Sequence, residues 1–143
     1  LMEALSEKEG VCMKCSDIFN AALRLLNEKE STLLTETDEL RDRAPFILAT
    51  CCEELARLDH HYRQANGLEN APPHHAVCLP LSADFPLCKR FAPIAAYYLA
   101  SLLIADENMT LADFFYDKFS DAVATLTGEI PAVCHKIYDA YAM

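Results

Sequence analysis

The chain has 143 residues, enough for one domain with its own core, and carries a net charge of −10 with a pI near 4.8. That charge argues against nonspecific nucleic-acid binding, which needs a basic face to displace counterions. Apolar residues make up 52% and only three residues are glycine; so few glycines favour helices over the many tight turns of a sheet protein.

Residues 1 to about 10 are polar and charged, and read as a frayed tail or a short helical piece. In VCMKCSDIFNAALRLLNEKE, Ser16 or Asp17 is placed to cap a helix. Ile18, Phe19, Ala22, Leu23, Leu25 and Leu26 then recur at helical spacing, and the helix is expected to end near Lys29. Asp38 is a further candidate cap, and Pro45 fits a first turn or a kink because it has no amide to donate. From Phe46 the pattern sharpens. Leu48, Cys51, Cys52, Leu55, Leu58 and Tyr62 share one face, while Glu53, Glu54, Arg57 and His60 share the other. Asn66-Gly67 is a stop signal, since glycine takes the left-handed cap conformation cheaply.

Residues 68–82 read as an irregular crossing segment. Pro72-Pro73 exclude a helix, and Val77, Leu79 and Leu81 are expected to drop onto apolar neighbours. Asp84 and Pro86 mark a helix start leading into FAPIAAYYLASLLIADE, Phe91 to Glu107. About 15 residues between Arg90 and Asp106 are uncharged, too few for a membrane span. This stretch is therefore expected to be a buried core helix. Thr110 and Asp113 match a capping box for the next helix. Its apolar face holds Leu111, Phe114, Phe115, Phe119, Ala122, Val123 and Leu126, with Asp113, Asp117 and Asp121 opposite and Gly128 as the stop. The tail after Pro131 can add a short helix with Val133, Ile137 and Tyr141 on one side. The whole reads as a single all-α domain, 1–143, a bundle of four to five helices around 91–107.

The chemistry-bearing residues form no motif. Cys12 and Cys15 have C-x-x-C spacing, without the strand context of a redox site or the second pair of a zinc site. His60 and His61 are neighbours on a helix and point about 100° apart. His74 and His75 could meet Cys78 or Cys88, and His135 stands alone. No nucleophile elbow, P-loop, dinucleotide turn or H-E-x-x-H is present. No catalytic, cofactor-binding or metal residue is assigned, and no cofactor is expected. The Asp113, Asp117 and Asp121 ridge reads first as a solvated face, and second as a surface for a cation or basic partner. The start LMEALSEKEG has no basic region followed by an apolar one. Seven cysteines, an odd number, read as reduced core thiols. These features predict a cytoplasmic protein.

Four segments follow in a recognisable order: VCLPLSADFPLCKRFAP, IAAYYLASLLIADEN, LADFFYDKFSDAVATL and IPAVCHKIYDAYAM. With the earlier Glu53-Glu54-Leu55, residues 45–143 resemble small prophage proteins of clostridia-like bacteria. Those carry a proline-leucine lead-in, a P-x-G-L-A-A-x-L helix, an acidic pair and an A-x-F-F-x-x-x-Y helix. Ala95-Ala96-Tyr97-Tyr98 stands here in place of the glycine-containing turn, and the tail lacks the expected glycines. The resemblance implies a head-tail connector or DNA-packaging adaptor without an active site. Its expected partners are portal or tail-side phage proteins and other copies of itself, and its place would be the cytoplasm and then the virion. Two rival readings stay open. One is a helical adaptor or regulatory dimer unrelated to virions; the other is a small metal or thiol enzyme using Cys12, Cys15 and the histidine pairs.

Overall fold

In a computed structural model, residues 13–29, 37–70 and 76–130 are described, and they form an all-α bundle. Its helices are α1 (Cys15–Lys29), α2 (Thr37–Ala65), α3 (Ala92–Ile104) and α4 (Met109–Gly128), with a 3-10 turn at Lys89–Phe91 before α3. Ten of the thirteen α3 residues are buried. A helix apolar on all sides has to be covered on all sides, and α1, α2 and α4 each pack against α3. The core is one continuous cluster that draws on every helix and on Leu79, Phe85 and Leu87. No helix among the described residues is long and apolar enough to cross a membrane.

The start of α1 is held by the crossing segment. Its first two amides, Cys15 N and Ser16 N, donate to the carbonyls of Ala83 and Leu81, both at 2.9 Å. These are orphan donors in any helix, and here backbone oxygens satisfy them. Lys14, and neither Ser16 nor Asp17, occupies the capping position. Asp17 sits three residues on and returns a bond, its carboxylate accepting from Lys14 N at 3.1 Å. Lys14 also bridges Asp84 at 2.8 Å.

Helix α2 runs unbroken through Pro45, so the expected first turn there is corrected. Leu40 and Ala44 extend the buried stripe upstream, at 1% and 0% exposure. Burying Leu40 stabilises by roughly 1.5–3 kcal/mol, comparable with the roughly 3 kcal/mol cost of an interior proline. Arg43 adds a second anchor. Its Nη2 donates to Leu102 O at 3.1 Å and its Nη1 to Leu103 O at 3.5 Å. A cation thus meets the carbonyl end of α3, where the helix dipole favours it. The Pro45 carbonyl accepts from Leu79 N at 3.0 Å, which ties the crossing segment to α2.

The stop at Asn66-Gly67 is as expected. Gly67 has φ +69°, Leu68 N donates to Arg63 O at 2.8 Å and Gly67 N to Gln64 O at 3.3 Å, the bond pair of a Schellman ending. In the crossing segment Leu79 is buried and Leu81 half-buried, as expected, but Val77 is 81% exposed and stays outside the apolar cluster, which corrects the expectation for it. The helix expected from Asp84 begins only at Ala92, because the backbone of 86–88 is bonded to α2 instead. The central helix correspondingly ends at Ile104, short of Glu107.

At α4 the capping box at Thr110 is also corrected. The cap is Asn108, whose side chain accepts from Leu111 N at 3.0 Å. Asn108→Ala is expected to cost about 1 kcal/mol and Thr110→Ala much less; chemical denaturation of the two variants separates the assignments. The readings that Cys12, His74, His75, His135 and the tail after Pro131 invited lie outside the described residues.

Candidate functional site

The α2 stripe that buries Leu55 also turns Asp59 inward, to 2% exposure. Arg63 lies one turn on, and its Nε meets Asp59 Oδ2 at 2.8 Å. The other carboxylate oxygen, Oδ1, accepts from Cys88 N at 2.9 Å. Arg63 spends its remaining donors on the Glu69 carbonyl (3.0 Å) and the Pro86 carbonyl (3.3 Å). A buried carboxylate and its guanidinium therefore fasten to α2 both the start of the crossing segment, at Glu69, and the stretch that follows it, at Pro86 and Cys88. Bonding both carboxylate oxygens and all three guanidinium nitrogens in this way is what makes a buried ion pair tolerable.

Beside this latch lies an open cleft of about 720 Å³. Tyr62, Leu68 and Pro93 give it apolar walls, and Arg63, Lys89 and Arg90 line it with cations. Glu69 also lines it, and Arg90 pairs with Glu129 at 3.2 Å. Lys89 has no acidic partner among the described residues. A second cleft, of about 380 Å³, runs along α1 past Ile18 and Ala21 and shares Lys89 and Pro93 with the first. Leu68 is 48% exposed, an apolar side chain with about half of its surface uncovered.

Three of the described thiols are placed for packing. Cys15, Cys51 and Cys52 are fully buried. Burial pushes the Cys15 thiol up to about 11, with the charge of Asp84 adding to it. Burial, then the neighbouring Cys15, Asp59 and Glu53, pushes Cys52 up to about 12. Cys51 is raised in the same way, by burial first. Burial and then Asp59 push the half-buried Cys88 up to about 11 against the opposing Arg63. A thiol held neutral is a poor nucleophile and a poor metal ligand. Tyr98, raised by burial and by Glu54, likewise stays protonated while its hydroxyl donates to Glu54 at 3.2 Å.

These shifts carry a consequence for stability. Below the ordinary thiol value of 9.0 both folded and unfolded states hold their protons. Between 9 and about 11 to 12 the unfolded chain releases them and the folded chain does not, so stability falls as pH rises. The melting temperature is expected to drop by several degrees from pH 8.5 to 10.5, roughly, and to drop less in Cys52→Ala. Equal slopes in the two proteins would remove Cys52 from this account.

The other residues singled out by sequence are not brought together. The His60 and His61 rings are 5.8 Å apart and tilted by 56°. Cys78 is exposed and Cys88 half-buried. Among the described residues no three of His, Cys, Asp and Glu are grouped to hold a metal ion. Asp113, Asp117 and Asp121 are all exposed, and none has an ion-pair partner among the described residues. Sequence reasoning passed over Asp59, Arg63, Lys89 and Arg90. A signal for the first two was present: an acid at a stripe position between Leu55 and Tyr62, with an arginine four residues later. Lys89 and Arg90 gave none, because only the fold brings them beside Leu68.

Compared with protein-family models, with curated proteins and with solved structures, the chain matches none.

Proposed function

We propose that the protein is a helical assembly module of the head-tail connector kind, which acts by protein–protein contact and catalyses nothing itself. The observation that carries this reading is the cleft beside the Asp59–Arg63 latch. It is open, walled by Leu68, Tyr62 and Pro93, and edged by Arg63, Lys89, Arg90 and Glu69, of which Lys89 has no acidic partner among the described residues. Apolar surface ringed by charge is the surface of a docking site. The Cys88 thiol beside the cleft is held neutral and Asp59 is bonded through both oxygens, which suits scaffold more than chemistry. The virion context rests on the resemblance of residues 45–143. Portal or tail-side proteins and further copies of the chain are its proposed partners, in the cytoplasm and then in the particle.

The test is sedimentation of the full chain with and without a portal protein from the same prophage. Co-sedimentation is expected, and a Leu68→Glu variant is expected to lose it while keeping its helical circular dichroism. A chain that never binds a portal and instead forms a closed dimer would move the reading to an adaptor outside virions.

A further inference from the structure

We infer that the cationic cleft receives the acidic, aromatic face of α4 from a second copy of the chain, in a head-to-tail contact. This rests on the assembly reading and adds the two surfaces that meet. One surface is the cleft, where Lys89 has no acidic partner among the described residues and Leu68 is half exposed.

The other surface is the outer face of α4. Asp113, Asp117 and Asp121 follow one another at i, i+4, all exposed. Like charges at that spacing weaken a helix, and no cation among the described residues pairs with them. Phe114 and Tyr116 stand on either side of the ridge, at 42% and 45% exposure. Lys118 lies 5.4 Å from the centre of the Phe114 ring and leaves the carboxylates unpaired. Acid flanked by aromatics is the chemistry that an unpaired lysine beside apolar walls accepts.

Within one copy Lys89 and the ridge are not paired with each other. Lys89 and Arg90 directly precede α3, and Asp113 and Phe114 follow it, so the thirteen residues of α3, about 20 Å of helix, hold them apart. The Arg90–Glu129 pair shows that α4 returns along α3, with its first turns at the far end. Asp113 lies at that far end and Asp121 part of the way back; two different surfaces of this kind make a heterologous contact, which continues from copy to copy until a ring closes or a filament grows.

Sedimentation velocity of the full chain, across protein concentration and salt, tests the contact. The unmodified chain is expected to associate, and less so at high salt. Lys89→Glu and Asp117→Lys change exposed positions, and circular dichroism is expected to show both folded. Each alone is expected to associate about tenfold more weakly. Mixed one to one, they are expected to associate again, since the intact cleft of one meets the intact ridge of the other and the two reversed charges at the remaining contact also attract. A chain that stays monomeric, an association that neither substitution weakens, or a mixture that restores nothing overturns the inference. A monomer that still binds a portal overturns this contact and leaves the assembly reading standing; self-association without portal binding does the reverse.

Discussion

Replacing Asp59 with alanine is expected to destabilise the fold by about 3–5 kcal/mol and to lower the melting temperature by about 10 °C or more. The carboxylate is 2% exposed and has two tasks. It balances Arg63 at 2.8 Å and accepts from the Cys88 amide at 2.9 Å. Alanine leaves a partly buried guanidinium without its counter-charge and an amide without an acceptor. The cost is mostly that of the groups left behind. An Asp59→Ala, Arg63→Ala double variant is therefore expected to lose much less than the sum of the two single variants. Urea denaturation of the four proteins measures this. Additive losses would mean that the pair is no unit and that Arg63 is held by the Glu69 and Pro86 carbonyls alone. Because the latch positions residues 86–88, Asp59→Ala is also expected to loosen the cleft, with faster amide exchange at Cys88.

Phe91→Ala is the second large effect, a loss of about 3–5 kcal/mol. Phe91 has no exposed surface, and its ring meets that of Tyr62 edge to face, with centroids 5.9 Å apart. It sits where the 3-10 turn passes into α3, so its removal opens a cavity between α2 and the start of the central helix. Phe91→Leu keeps much of the volume and is expected to cost about half as much. Equal losses for alanine and leucine would show that shape, not volume, governs the site. Tyr62 lines the large cleft, so the alanine variant is also expected to weaken any partner bound there, while Phe114→Ala on the opposite end costs little stability.

The elements that sequence placed well are those whose signal is local. The α1 stripe from Ile18 to Leu26 and the stop at Gly67 are written within a few turns of backbone. The central helix is legible for a different reason: a run with no charged residue from Phe91 to Ala105 leaves no face for water. The misplaced boundaries share one cause. Capping residues were sought by type, and Ser16, Asp17 and Thr110 are all good caps in isolation. The actual starts are set by what reaches the free amides, which at α1 are the carbonyls of Leu81 and Ala83, nearly seventy residues away in the chain. Pro45 was read by its local cost, yet Leu40, Ala44 and Arg43 find partners on other elements that offset it. Phe114 was grouped with the buried aromatics, and it is Phe115 and Phe119 that pack inward.

By itself, then, the sequence determined the all-α class, the identity of the central helix and the solvated face of α4, because helical periodicity and charge act over neighbouring residues. Only the tertiary structure decided that Asp59 is buried, that α2 passes through Pro45, and that Lys89 and Arg90 stand beside Leu68. Those outcomes depend on contacts between segments far apart in the chain. An ion pair between α2 residues, closed by an amide from the segment before α3, leaves no pattern in either stretch until the helices are packed together.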